Sequence, residues 1–284
     1  MDRQTLTAWA TLLVLAAVLC GWIVYRWRQT RFTFFQAVLC LLNTFVTRVL
    51  WRAQISGPLP VAEDEGAVIV CNHTSGIDPM VIQLCTDRVV HWMVAREYYN
   101  MPFASYAFRS VNSISVNRGG IDTAATKMAI RLAQDGGVVG LFPEGRVNTS
   151  DELLLPGRPG AALIALKARV KVIPCFVSGL PYDGTALGSF FMAGNARVTV
   201  GKPIDLSSYF GRDGDKTVLQ ELTKLFLVEI ARLAGVDDFE PKLAGRHWKS
   251  GQDEEELDGN GEPASSNAAK VGTSRTPPRH TASG

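Results

Sequence analysis

At 284 residues, with 46% hydrophobic and 20% charged side chains, the chain is long enough to bury a full core and is not a disordered polypeptide. A formal net charge of +2 is too small to draw nucleic acid by field alone, and no stripe of Lys and Arg interleaved with aromatics runs along it. The five cysteines, at positions 20, 40, 71, 85 and 175, lack the CxxC pairs of zinc and redox sites; this points to reduced thiols and a main domain in the cytosol.

In chain order, residues 6–25 carry no charge, and ~20 apolar residues suffice for a bilayer-spanning helix. Arg26, Arg28 and Arg31 follow at once, whereas only Arg3, Asp2 and the amino terminus precede, so the positive-inside rule puts the C-terminal side in the cytoplasm. A cleaved signal peptide would need its basic flank on the other side. Residues 32–51 then place Phe35, Val38, Leu39, Leu42, Phe45, Val46, Val49 and Leu50 at helical spacing, with Gln36, Asn43, Thr47 and Arg48 elsewhere around the turn. This pattern predicts an amphipathic helix lying in the membrane interface, or one packed on the domain.

After Gly57-Pro58-Leu59-Pro60, strand and helix alternate. Strands are predicted at 68–71, 90–95, 113–116, 138–142, 172–177 and 197–200, and helices at 78–85, 104–110, 122–134, 160–168 and 216–233. Such alternation implies an α/β domain, a largely parallel mixed sheet flanked by helices, with functional residues at the carboxyl ends of the strands. From Lys249 the composition turns to Gly, Ser, Asp, Glu and Pro, which predicts a disordered tail. The expected organisation is a membrane anchor at 1–31, an interfacial helix at 32–56, a catalytic domain at 57–248 and a tail at 249–284. No GxSxG, GxGxxG or Walker A loop occurs, which removes the usual hydrolase, dinucleotide and NTPase readings.

The chemistry is concentrated in Asn72-His73-Thr74-Ser75-Gly76-Ile77-Asp78-Pro79, which follows the apolar run at 67–71. His73 thus leaves the end of a buried strand, Asp78 stands where a helix N-cap belongs, and Pro79 stands at the first helical position. A strand-end imidazole and a capping carboxylate so spaced come within hydrogen-bonding reach, a base with its orienter. Arg118 follows another strand and precedes Gly119-Gly120, and Glu144, Gly145 and Arg146 follow a third. Arg suits bidentate phosphate recognition, and a Gly turn lets backbone approach a ligand. Taken singly, each has an ordinary structural explanation: a strand-end histidine, a helix cap, a solvated arginine. His73 and Asp78 have no third clustered ligand, so no metal is expected.

These blocks occur in the order that identifies a family: HxxxxD followed by Pro, then Ser115-Val116-Asn117-Arg118, Phe142-Pro143-Glu144-Gly145-Arg146, and Val172-Ile173-Pro174-Cys175-Phe176-Val177-Ser178-Gly179. Over about residues 50–205 the chain resembles the glycerolipid acyltransferases of the 1-acylglycerol-3-phosphate (lysophosphatidate) type. The resemblance implies transfer of a fatty acyl group from acyl-CoA or acyl-carrier protein to the free hydroxyl of a lysophosphatidate-like acceptor, forming phosphatidate. It implies His73 as base and Asp78 as its orienter, Arg118, Glu144, Gly145 and Arg146 as acceptor-binding residues, and neither metal nor organic cofactor. Membrane lipids are the expected partners, nucleic acid is not, and the enzyme is expected to be single-pass with its domain cytoplasmic. The sequence departs from the family in reading Gly-Arg-Val-Asn-Thr where a Thr commonly precedes the Arg, and in Pro156-Gly157-Arg158-Pro159-Gly160, where Lys is usual. Another lyso-lipid or hydroxy-acyl lipid acceptor is the alternative, as is a non-catalytic lipid-binding module. Cys71 shares a strand face with His73 and offers a covalent route, although a Cys set among Val and Ile is usually inert.

Overall fold

Seven strands form one sheet: β1 (Gln54–Ile55), β2 (Ala67–Cys71), β3 (Val90–Ala95), β4 (Ile114–Val116), β5 (Val138–Leu141), β6 (Lys171–Ser178) and β7 (Arg197–Val200), in the order β1-β7-β6-β2-β5-β3-β4. The structure, a computed structural model, describes residues 2–28, 32–102, 104–117 and 122–245. Every adjacent pair is parallel except β6 with β7, so the sheet is mixed and largely parallel, as the alternation of elements predicts. β2, at the centre, is buried along its whole length, which is why Ala-Val-Ile-Val-Cys reads as a continuous apolar run.

The period of two in the strands divides the core. Val68 and Val70 of β2, Val139 and Leu141 of β5 and Val172 of β6 face α6 (Thr123–Gln134), α7 (Gly160–Ala168) and α9 (Lys216–Leu233). Ala67, Ile69 and Cys71, with Ile173, Cys175 and Val177, face Trp51, Leu59 and α3 (Asp78–Ile82), with Val46 and Leu50 at the end of α2 (Phe34–Val49). The short helices α4 (Arg96–Tyr99) and α5 (Ala104–Ser110) follow β3, and α8 (Ala186–Phe191) follows β6.

β1, α4 and α8 are additions to the predicted elements. β1 pairs with β7 at Gln54 and Ile55, so the sheet begins inside the segment assigned to the interfacial helix rather than at residue 57. The predicted helix at 78–85 closes as α3 followed by a 3₁₀ turn at Gln83–Cys85. The tail at 249–284 lies outside the described residues.

α1 (Arg3–Arg28) contains a span, Arg3–Tyr25, that is long and apolar enough to cross a membrane, and no part of it is buried against the rest of the chain. α2 is packed on the domain, one of the two arrangements its pattern allows. A Thr33–Gln36 capping box starts it, and one face is tied to the domain: Gln36 Nε2 donates to the Ser110 carbonyl at 2.6 Å and Asn43 Nδ2 to the Met80 carbonyl at 2.9 Å. Its other face leaves Phe34, Val38, Leu41, Leu42, Phe45 and Val49 exposed as one apolar stripe.

Candidate active site

The end of β2 is shaped by Asn72. Its side-chain amide donates to the Val177 carbonyl at 2.8 Å and accepts from the Val177 N–H at 2.7 Å, so it takes the place of a backbone peptide in pairing with β6. The main chain is thereby released from the ladder, and His73 turns out of the sheet.

The His73 Nδ1 lies 2.9 Å from Asp78 Oδ2. Asp78 is fully buried, and the same oxygen accepts the N–H groups of Thr74 at 2.8 Å and Ser75 at 2.9 Å. The predicted N-cap role is therefore displaced by one residue: Ile77 is the N-cap, Asp78 opens α3, and its carboxylate turns back to the tight turn that precedes the helix. The competing donors were the N–H groups of Thr74 and Ser75, which the Gly76 turn delivers to the same spot. With these three donors on Oδ2 and the Thr74 hydroxyl donating to Oδ1 at 3.3 Å, the carboxylate holds the imidazole by Nδ1 and leaves Nε2 as the ring's basic nitrogen. Ser75 Oγ anchors the turn from behind by donating to the Pro181 carbonyl at 2.9 Å.

One ring face of His73 lies on Phe142, with centroids 3.8 Å apart and planes 5° from parallel. Phe142 in turn stacks on Trp92 at 5.0 Å. The Trp92 indole needs Gly140 beside it on β5, because a Cβ there would lie 2.7 Å from the indole carbons. This aromatic row is one wall of a cavity of about 710 Å³ that opens at His73 and runs between β3, α5 and α2. Leu39, Met80, Tyr98, Phe108 and Phe190 contribute to a mainly apolar lining, and Arg146 is among its charged and polar members.

β5 runs parallel to β2, so the block that follows it emerges beside His73. Glu144 is buried, and both carboxylate oxygens are occupied: Oε1 accepts the His73 N–H at 2.8 Å and Oε2 the Leu155 N–H at 2.8 Å. Burial pushes its carboxyl up to about 7, against the opposing pull of those two N–H groups. The structure thus brings Glu144 to the site but turns its carboxylate toward backbone rather than toward an acceptor. Gly145 has φ +74°, the left-handed region, and the Arg158 side chain lies over it, so a Cβ would meet Arg158 Cδ at 3.1 Å. Burial and the neighbouring positive charge of Arg158 pull the Arg146 guanidinium below its ordinary value, and Glu144 opposes them. Arg146 and Arg158 together make the mouth of this loop positive. Arg118 lies outside the described residues, although β4 and Asn117, which lead to it, are described.

Cys71 is fully buried in register with Cys175, and burial pushes its thiol well above the ordinary range. That environment suppresses a thiolate, which a covalent route would need. Among the described residues no group of three or more His, Cys, Asp or Glu is placed to hold a metal. The roles of Asn72 and Phe142, and the cavity, are not visible in the sequence. An Asn directly before the His was the only available signal for the first, and the other two depend on contacts between distant strands.

Residues 52–178 match the family model described as Acyltransferase. The 1-acyl-sn-glycerol-3-phosphate acyltransferase of Bacillus subtilis is 24% identical over 147 residues, which cover 51% of this chain and 70% of that one. The human 1-acyl-sn-glycerol-3-phosphate acyltransferase beta is 28% identical over 166 residues, 57% of this chain and 59% of that one. Among solved structures, the 1-acyl-sn-glycerophosphate acyltransferase of Thermotoga maritima shares the fold with a TM-score of 0.56 at 21% identity, over 85% of this chain and 100% of that one. With the His73–Asp78 pair and the Glu144 block together at the carboxyl ends of parallel strands, residues 52–178 carry an acyltransferase-type domain, similar to those of 1-acyl-sn-glycerol-3-phosphate acyltransferases.

Proposed function

We propose that the chain transfers a fatty acyl group from a thioester donor, acyl-CoA or acyl-carrier protein, to the free hydroxyl of a lysophosphatidate-like lipid, giving phosphatidate. The observation that carries this reading is a buried His–Asp pair opening onto an apolar cavity of about 710 Å³, next to a positive Gly turn. A mainly apolar cavity of this size has room for an acyl chain.

In this reading His73 Nε2 removes the proton of the acceptor hydroxyl as its oxygen attacks the thioester carbon. The carbon–sulfur bond then breaks, and the departing thiolate takes the proton from the imidazolium. Asp78 holds Nδ1–H and stabilises the imidazolium that forms. Arg118 and Arg146 supply charge for the acceptor phosphate, and the Gly145 turn lets backbone approach it. The chemistry needs neither metal nor organic cofactor.

Residues 3–25 form a single membrane span with the domain on the cytoplasmic side, a reading supported by Arg26, Arg28 and Arg31 directly after it. The exposed stripe of α2 lies in the lipid interface beside the cavity it helps to wall. Purified protein in vesicles, given lysophosphatidate with acyl-CoA or with acyl-carrier thioester, should yield phosphatidate by mass spectrometry from at least one donor. Transfer only to a different lyso-lipid, or to none, would overturn the assignment.

A further inference from the structure

Glu144 stands in the block that the family resemblance gives to the acceptor, yet its surroundings suit another task. It is 1% exposed, so a lipid reaching into the cavity finds no open edge of the carboxylate. Each oxygen holds one backbone N–H, that of His73 and that of Leu155, both at 2.8 Å. The His73 peptide is gripped on its other side too, since the Asn148 N–H donates to the His73 carbonyl at 2.6 Å. The loop from 144 to 148 therefore brackets the main chain of His73, while Arg146, between the two anchors, reaches the cavity. A carboxylate is also a poor neighbour for a phosphate, because like charges repel at this range.

We infer that Glu144 is a positioning residue: it fixes the His73 imidazole through the His73 peptide and does not bind the acceptor. This rests on the reading of His73 as the base. The His73 side chain has its Nδ1 set by Asp78 and one face set by Phe142, and the peptide bond is the remaining point from which the ring can be tilted. Releasing the N–H from Glu144 lets the strand end relax and moves Nε2 relative to the substrate hydroxyl, and rate is steeply sensitive to such placement. Leu155 gives Glu144 its second hold, which keeps the carboxylate from following the peptide.

The test compares kcat, the KM for acceptor and donor, and the pH profile of kcat in Glu144→Asp and Glu144→Gln, assayed as full chains in vesicles. Asp keeps the charge but is too short to span both N–H groups; Gln keeps the length and one acceptor oxygen. The expected result is a loss of about 10- to 100-fold in kcat for Asp, the effect of one charge-assisted hydrogen bond, and a smaller loss for Gln. Acceptor KM should stay within about 2-fold, since no ground-state contact is removed, and the limb of the kcat profile that reports the base should shift. Gln is the same size as Glu and decides the matter if Asp fails to fold. A rise of about 10-fold in acceptor KM with kcat retained makes Glu144 an acceptor ligand and overturns the inference. Unaltered kinetics in both variants, or a fall in kcat with an unmoved pH profile, overturns it as well, the latter leaving only a loop staple. His73→Ala, run alongside, separates the two readings: if it stays active, the base assignment fails, whatever the Glu144 variants do.

Discussion

The imidazole of His73 lies flat on the ring of Phe142, 3.8 Å between centroids and 5° between planes. Phe142 thus closes one face of the ring, while Asp78 holds its Nδ1 edge and directs Nε2 toward the cavity. A stacked pair of this kind contributes about 0.5 to 1.5 kcal/mol beyond its area. Replacing Phe142 with Leu keeps an apolar side chain but removes the flat support, and kcat should fall by about 2- to 10-fold. Steady-state assays at saturating donor and acceptor check this, and an unchanged kcat would show that Asp78 alone positions the ring.

Arg146 lines the cavity beside the Gly145 turn, with the positive charge of Arg158 close by. If it grips the acceptor phosphate, Arg146→Ala should raise acceptor KM by about 10-fold or more while donor KM holds, since a hydrogen bond to a charged group contributes about 1.5 to 3 kcal/mol. Equal effects on both substrates would assign Arg146 to the fold of the loop. Arg118→Ala is expected to act in the same direction.

The raised carboxyl of Glu144 makes a prediction about stability. Its ordinary value of 4.5 is lifted to about 7 in the folded protein, mainly by burial, with the charge of Asp78 adding to the rise and Arg146 opposing it. Between these values the native state holds more protons than the unfolded chain, so this contribution to stability is complete below about 4.5 and is lost as pH rises through about 7. Relative to Glu144→Gln, the wild-type melting temperature should therefore decline between about pH 5 and about pH 8. Parallel pH dependence in the two proteins would mean that the carboxyl does not titrate in this window.

The segment Arg3–Tyr25, long and apolar enough to cross a membrane, has no residue buried in the protein, and α2 exposes Phe34, Phe45 and Val49 on one side. The full chain should stay in the membrane pellet after alkaline carbonate, and protease added to sealed, right-side-out membranes should leave the domain uncut. Release by carbonate, or digestion from outside, contradicts the single-span cytoplasmic arrangement.

Much of the sheet was legible because its central strands are buried on both faces. Ala-Val-Ile-Val-Cys of β2 and Lys-Val-Ile-Pro-Cys-Phe-Val-Ser of β6 announce themselves as apolar runs between turns. β1 has two residues, Gln54 and Ile55, too few to show any period, and it exists only because β7 offers an edge. In the site, the spacing of His73 and Asp78 was readable because both lie in one turn. The partners of Glu144 were not: His73 is 71 residues away, and only the parallel pairing of β2 with β5 brings the two together. Asn72 is similar, since its amide answers Val177, 105 residues along the chain. The misplacement of Asp78 as an N-cap has the same origin on a shorter scale, for three donors converging on one carboxylate oxygen outcompete the helix end.

If His73 is a general base acting directly on the acceptor hydroxyl, kcat for acyl transfer must collapse in His73→Ala, assayed in vesicles. Circular dichroism and membrane retention verify that the variant is folded. The expected loss is about 10²- to 10⁴-fold or more, the usual effect of removing a general base. Activity within about 10-fold of wild type in the folded variant would contradict it, since no general base could then be assigned to that imidazole.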